Sequence, residues 1–409
     1  MNILILKVSA IGDVIHTLPA VFYLKKCYPN AKISWVVQKK AADLLKNQPF
    51  LNEVFVLPDK FLHPKNWLAS LKIIKELRKT EWDAILDFQG IDKTSVIIAF
   101  LKGKKFGFSP HLARSKFSTW FTKFHVDAEF KNVIQKNLAL ASYAAQELGK
   151  TQNLSATQCP TIPELKKAFN FRFGEAEIQA VDQWLTENRI TNKFILLCPN
   201  TTWETKHWPN ELWLEFIKMM LTNPWIPAQA SHKATPGRLV VHEGLWRTGL
   251  NQVPAVAEAM ADRQDDKKLL LVGQQFGKAA DKIAQLCQEK NLPILIVPAW
   301  NLNATAYLIS KTDLLIAPDT GLLHLADFLD VTTIGIFDPT NKELQGPFLK
   351  NINIENAIQT GNISQTSFQA NNNTNKSNFQ KSTPYQTNMC KLQPSMLFDK
   401  VLHILKNKN

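Results

Sequence analysis

No stretch of about 18 consecutive apolar residues occurs in the 409-residue sequence, so a membrane-spanning helix is not indicated. No Asp-x-Asp occurs either, which removes the short acidic motif that would hold a metal against a nucleotide diphosphate. The five cysteines, Cys27, Cys159, Cys198, Cys287 and Cys390, are odd in number and lack the paired spacing of a zinc site or a disulfide framework, so they are expected as buried, reduced thiols. The first strand-to-helix turn carries one glycine, Gly12, and not the G-x-G-x-x-G that lets a backbone approach a dinucleotide pyrophosphate. Met1-Asn2 followed by an apolar run lacks the basic n-region and cleavage site of a signal peptide, which points to the cytoplasm. Negative charge is scarce: 35 Asp and Glu stand against 48 Lys and Arg, a net +13 that favours phosphates, anionic lipid head groups or nucleic acid as partners without choosing among them.

What is present is material for more than one core. The length suits two domains of about 150 to 200 residues each, and 45% hydrophobic with 20% charged residues is a globular composition. Short apolar, β-branched runs alternate with helical stretches, the pattern of βαβ units and parallel sheets. Strands are predicted at 2–8, 32–37, 53–57, 83–87 and 104–107, with helices near 14–26, 39–46, 66–79, 92–101 and 132–148. Residues 150–190, with Pro160, Pro163 and an amphipathic stretch at 175–187, break the rhythm and suit a crossing between domains. A second series follows, with strands near 193–198, 268–272, 293–297, 313–317 and 332–336. The expected class is α/β, two Rossmann-like domains with a boundary at 165/166. Residues 223–266 read as an insertion, because they separate a helix from its next strand by far more than the usual loop. Residues 355–389, rich in Asn, Gln, Ser and Thr, read as a mobile loop. Met396 to Leu405 reads as a helix able to pack on either domain.

Two constellations carry chemistry. Lys7 to Ala20 leaves the first strand, turns at Gly12 and enters a helix, which places Asp13 at the carboxyl end of a strand where ligands gather in open parallel sheets. Asp13 then reads either as a base facing a cleft or as a helix cap. His16, one turn on, suits orienting Asp13 or touching substrate, and equally a structural role; Lys7 reads as an anion ligand or a solvated charge. The second constellation is split. Cys198 to Pro209 follows a strand and offers Thr201, Thr202 and Lys206 to a phosphate, or is a polar loop anchored by a tryptophan. Asp319-Thr320-Gly321-Leu322-Leu323-His324 opens a helix whose N–H groups suit an anion, with Gly321 permitting close approach and His324 reaching over the helix start; Asp319 and Thr320 also read as plain caps.

Lys7 to Ala20, with its S-x-x-G-D-V-x-H-T-L-P-A core, and Asp319 to Leu325 resemble the two signatures of the bacterial lipopolysaccharide heptosyltransferases, glycosyltransferase family 9. Leu86 to Thr94 is similar to the family's D-x-Q-G-x-x-K-S stretch, and Phe337 to Thr340 with Gly346-Pro347 to its turn after the last strand. The resemblance covers residues 1–222 and 267–350, more weakly 390–407, and the H-T-L-P-A ending is most like type I. It implies a GT-B fold with a central cleft and an inverting, metal-independent transfer of L-glycero-D-manno-heptose from ADP-heptose to a Kdo residue of Kdo-lipid A. No cofactor and no nucleic-acid partner are implied, and contact with the inner membrane would be peripheral, on its cytoplasmic side. Matching positions make Asp13 the catalytic base and Thr201, Thr202, Lys206, Asp319, Thr320, Gly321 and His324 the donor site. Lys60, His63, Lys65 and Lys93 fall to the acceptor. The sequence departs from the family where arginines are usual in the acceptor segment, where Asn132 stands in a histidine's place, and at Gly273 to Gly277, where relatives carry a ribose-binding glutamate. The alternatives are a GT-B transferase of other donor or acceptor, including the type II or III enzymes, and a non-catalytic anion-binding protein.

Overall fold

The computed structural model describes residues 1–46, 48–127, 129–149, 171–191, 194–222, 268–272, 278–347, 353, 357–360 and 388–407. The boundary at 165/166, the insertion at 223–266, Gly273 to Gly277 and Cys159 lie outside them.

The apolar runs form β1 (Asn2–Leu6), β2 (Lys32–Gln38), β3 (Glu53–Leu57), β4 (Ala84–Asp87), β5 (Lys104–Phe108) and β6 (Phe124–Val126), one sheet in the order β3-β2-β1-β4-β5-β6. All neighbours are parallel, with Ile3 opposite Ile33 and Ala84. β1 is buried on both faces: Ile3 and Ile5 enter one apolar cluster, Leu4 and Leu6 another, as expected where helices cover both sides of a parallel sheet. The connecting helices are α1 (Ile11–Ile15), α2 (Leu18–Cys27), α3 (Lys39–Leu45), α4 (Trp67–Leu77), α5 (Asp92–Ala99) and α6 (Val133–Glu147). The helix predicted at 14–26 is in fact two, broken at His16-Thr17 where Pro19, lacking an N–H, occupies the first turn of α2.

The second half repeats the plan with α7 (Glu175–Glu187), β7 (Ile195–Leu197), α8 (Asn210–Thr222), β8 (Leu269–Leu271), α9 (Ala279–Glu289), β9 (Leu295–Ile296), α10 (Leu302–Lys311), β10 (Leu314–Pro318), α11 (Gly321–Phe328), β11 (Thr332–Phe337), α12 (Lys342–Gln345), β12 (Ile358–Gln359) and α13 (Pro394–Lys406). Its sheet is also parallel, ordered β12-β11-β10-β7-β8-β9. The amphipathic stretch at 175–187 packs on α10, and α13 packs on α8 through the apolar cluster of the second sheet. β12 corrects the expectation of a loop from 355 onward: Ile358 and Gln359 pair with β11 and the Gln359 amide donates to the Phe337 and Thr340 carbonyls. Residues 361–387 lie outside the described set. Cys198 and Cys287 are buried as expected, whereas Cys27 is part-buried and Cys390 exposed.

In each sheet the chain reverses its order of laying down strands once, between β1 and β4 and between β7 and β10. Such switch points open a crevice beyond the carboxyl ends of the strands. The segments after β1, β4, β7 and β10 hold Asp13, Gln89, Lys206 and Asp319. One apolar cluster runs through both halves, from Ile3 and Ile5 to Leu315, Ala317 and Leu323.

Candidate active site

Asp13 lies in the first turn of α1, yet its carboxylate caps nothing; the helix start at Ala10 has no side-chain cap. Instead Oδ2 accepts a hydrogen bond from Arg114 Nη2 at 3.0 Å and lies 3.7 Å from Lys7 Nζ. The cap reading is thereby replaced by an ion pair, and one-fifth of the Asp13 side chain remains exposed. Burial favours its protonated form, but the charges of Lys7 and Arg114 outweigh that and hold the carboxyl well below the usual carboxylate range.

Lys7 is not solvated. It is buried at the end of β1 and donates to the Phe88 carbonyl at 2.9 Å. Burial brings its pKa down to about 8 despite the nearby Asp13. The turn after β4 fixes the same corner: Gln89 Oε1 accepts from the Val8 amide at 3.0 Å, and Asp87 Oδ1 accepts from the Gln89 and Gly90 amides. Burial raises the Asp87 carboxyl to about 6, although these N–H bonds and Lys7 oppose the shift. A third cation, Lys136 of α6, sits 4.4 Å from the Phe108 ring and donates to the Leu112 carbonyl at 2.5 Å. Its pKa is lowered to about 7 by burial and by the charges of Lys7 and Arg114.

Across the crevice Asp319 is buried and bridges two groups: Oδ2 accepts from Lys206 Nζ at 2.6 Å and Oδ1 meets His324 Nε2 at 3.0 Å. Burial favours protonation, but Lys206 and His324 outweigh it and keep the carboxyl below its ordinary range. Asp319 and Thr320 are not side-chain caps of α11. Thr320 Oγ1 and His324 Nδ1 are buried without a hydrogen-bond partner, polar atoms whose desolvation nothing in the protein offsets. Thr201 Oγ1 donates to the Trp203 carbonyl at 2.7 Å, and Thr202 is exposed. The tryptophan that anchors this loop is Trp208, fully buried and donating to Leu392, not the exposed Trp203.

The two constellations touch. A Cβ on Gly321 would stand 2.7 Å from Ile11 Cγ2 and 3.1 Å from the Gly12 amide nitrogen, and one on Gly12 would stand 2.9 Å from His324 Cδ2. The lack of a Cβ at Gly321 therefore lets α1 pack closely against the start of α11. The His16 ring lies 4.2 Å from the His324 ring, its Nε2 has no hydrogen-bond partner, and it is near enough to Asp13 for the two to interact electrostatically. Burial, then the neighbouring His324, pushes the His16 pKa well below its ordinary value. Asn137 of α6 holds the His16 carbonyl at 3.0 Å, and Asn132 caps α6 while reaching the Glu343 and Gly346 carbonyls of the other half.

Lys60, His63, Lys65 and Lys93 are exposed, the first three on the loop leading into α4 and the last on α5. His63 Nδ1 accepts from the Lys65 amide at 3.3 Å, starting the short 3-10 turn Pro64–Asn66. None of the four shares a hydrogen bond or ion pair with the Asp13 cluster. Arg114 and Lys136 went unread in the sequence. The signal for Arg114 was available, since residues 109–116 follow β5 at the same edge of the sheet. Lys136 reaches the cluster only through the packing of α6. Among the described residues no group of three or more His, Cys, Asp or Glu is placed to hold a metal ion. A polar hollow of about 350 Å³ lies at the opposite edge of the first sheet, against Asn2, Lys32 and Glu81, and contains none of these groups.

Comparison with known proteins bears on this geometry. A family model described as glycosyltransferase family 9 (heptosyltransferase) matches residues 70–240 and 254–376. Lipopolysaccharide heptosyltransferase 1 of Campylobacter coli is 24% identical over 362 residues, 88% of this chain and 90% of that protein. The E. coli heptosyltransferase WaaC, solved with ADP, superposes with a TM-score of 0.66 at 18% identity, over 99% of this chain and 100% of the other. A more distant structure, the iron-containing dodecameric glycosyltransferase TibC from enterotoxigenic E. coli, has a TM-score of 0.51 at 8% identity, over 100% of this chain and 77% of the other. The fold these structures share with the chain is GT-B.

Proposed function

Because the chain belongs to glycosyltransferase family 9, the heptosyltransferases, we propose that it is a lipopolysaccharide heptosyltransferase of type I. The reaction is inverting transfer of L-glycero-D-manno-heptose from ADP-heptose to a Kdo residue of Kdo-lipid A, without a metal, on the cytoplasmic side of the inner membrane. The observation that carries this reading is Asp13: a carboxylate kept ionised by Lys7 and Arg114, partly open to solvent, at a switch point near a second site that holds Lys206 and the start of α11.

In the proposed step Asp13 takes the proton of the acceptor hydroxyl while its oxygen attacks the anomeric carbon, and the bond from that carbon to ADP breaks on the opposite face. A positioned general base of this kind contributes about 10²–10⁴-fold. The cations that keep Asp13 ionised also weaken it as a base. Arg114 is 46% exposed, so an anionic acceptor would draw the guanidinium towards itself and return basicity to Asp13 when the hydroxyl arrives. Charge on the leaving diphosphate would be met by Lys206, the hydroxyls of Thr201, Thr202 and Thr320, and the start of α11. Lys60, His63, Lys65 and Lys93 would meet the phosphates and carboxylates of the acceptor.

The test is mass analysis of Kdo-lipid A after incubation with ADP-heptose and the intact chain, or one lacking residues 223–266, with and without a chelator. The expected product carries one added heptose at a chelator-independent rate. Consumption of a different nucleotide sugar, with ADP-heptose untouched, would sink the donor assignment. Loss of activity in chelator that added metal restores would sink the metal-free step.

A further inference from the structure

Ten large apolar side chains are exposed among the described residues, and six of them, Trp67, Leu68, Leu71, Phe100, Phe117 and Trp120, come from three adjacent segments of the first half. Leu68 and Trp120 are 76% and 79% exposed, values normal for lysine and unusual for these residues. The segments are α4, α5 with its cap residue Phe100, and the 3-10 helix Lys116–Phe121, which packs on α5. Trp67 and Leu71 from α4 and Phe100 beyond α5 line one apolar hollow of about 50 Å³, which joins α4 to α5, and the packing of Lys116–Phe121 on α5 brings Phe117 and Trp120 alongside. The Phe117 ring is tilted against Trp120 with centroids 5.4 Å apart and meets Phe121 edge-on at 5.2 Å, and Phe121 in turn packs on the core beneath. In α4 only Ser70 and Leu77 are fully buried. Its apolar content therefore exceeds what the core uses. Contiguous apolar surface of this sort marks an interaction site.

We propose that this face docks on an anionic phospholipid bilayer, with the aromatic and aliphatic side chains entering the interfacial layer and the surrounding lysines meeting the head groups. The proposal rests on the reading above, in which the acceptor is carried in a membrane. Charge argues for a lipid occupant. Lys72, Lys75, Lys93 and Lys116 are exposed on these segments, and Lys60 and Lys65 on the loop leading into α4 beside the exposed acid Asp59, whereas the acids Glu76 and Asp92 are engaged by Lys79 and by Ser115. Lysine is depleted at protein–protein interfaces, but its long stem and point charge suit a head-group layer over buried apolar groups. Tryptophan likewise favours the membrane–water boundary. Among the described residues no helix is long and apolar enough to cross a membrane, so contact of this kind would lie in the interface plane. Docking here also brings the loop from Lys60 to Lys65, which runs directly into Trp67, to head-group level.

The experiment is co-sedimentation of the full chain with vesicles of phosphatidylglycerol and phosphatidylethanolamine, free of acceptor. It compares wild type with the triple variant Trp67→Ser, Leu71→Ser, Trp120→Ser at fixed ionic strength. Trp67 and Leu71 are 48% and 41% exposed, so a second variant at the more open sites, Leu68→Ser with Trp120→Ser at 76% and 79%, should melt with wild type and also lose vesicle binding. We expect vesicle partitioning of the triple variant to fall about tenfold or more, and wild-type binding to weaken with salt and in phosphatidylcholine vesicles. Equal sedimentation of variant and wild type overturns the proposal. So does a wild-type dimer that the three substitutions abolish, which would assign the face to a second copy. Transfer to a water-soluble, deacylated acceptor should be unchanged in the variant. If no acceptor receives heptose while vesicle binding still depends on the three residues, the proposed function fails and the docking surface stands.

Discussion

The two halves place a carboxylate at the same topological position, and they treat it differently. Asp13 and Asp319 both follow a switch-point strand and both are held ionised by neighbouring cations. Asp319 is sealed, 5% exposed and saturated by Lys206 and His324; Asp13 is 20% exposed, its cations are one buried lysine and one half-exposed arginine, and an oxygen is left for a reactant. A buried, fully paired carboxylate is a strut that aims its partners. A carboxylate with an open side and a half-exposed partner is the one suited to meet a ligand.

The sharpest way to break this contrast is Asp13→Asn, which should cut turnover about 10²–10⁴-fold while leaving ADP binding and most of the stability intact. Turnover within tenfold of wild type would mean that Asp13 is not the base. Asp319→Ala should do the reverse in kind, costing about 1–3 kcal/mol of folding stability because the buried His324 and the part-buried Lys206 lose the carboxylate they share. A urea midpoint close to that of wild type would show that Asp319 is no strut. Gly321→Ala presses a methyl group against Ile11 and should cost about 1–3 kcal/mol by overpacking; an unshifted midpoint would mean that the halves do not meet there in solution.

The smallest expected effect is on pH. Lys136 and Lys7 have pKa values lowered to about 7 and about 8, so both are charged at pH 6 and both neutral at pH 9. If they help attract an acceptor carboxylate, KM for the acceptor should rise a few-fold across that window with kcat less affected, and Lys136→Met should flatten the lower part. A KM independent of pH would remove both lysines from acceptor binding.

Much of the architecture was legible because parallel strands buried on both faces leave continuous apolar runs. β1 to β5 and β7 to β11 fall where the sequence places strands, within three residues at either end. β6 and β12 are edge strands, mostly part-buried and set among polar residues, and so lack the continuous apolar run that marks the equally short β7 and β8. In the site, the local motifs located Asp13, Lys206, Asp319 and His324, because the strand-turn-helix grammar fixes where such residues must go. The pairings were not legible. Arg114 lies 101 residues from Asp13 and Lys206 lies 113 from Asp319, distances over which only tertiary packing decides who meets whom. Gly321 shows the same limit: its lack of a side chain was visible, but whether helix or ligand fills the space depends on the other half of the molecule.

At Gly12 and Gly321 the two halves come together backbone against backbone. When one half rotates about a point, atoms move in proportion to their distance from it. Asp13, the next residue along the chain from Gly12, and His324, one helical turn from Gly321, would scarcely shift relative to each other, while the rim around Lys60 would sweep through a far larger arc. Were the halves to turn about this contact, the distance between Asp13 and His324 would therefore be the one that changes least.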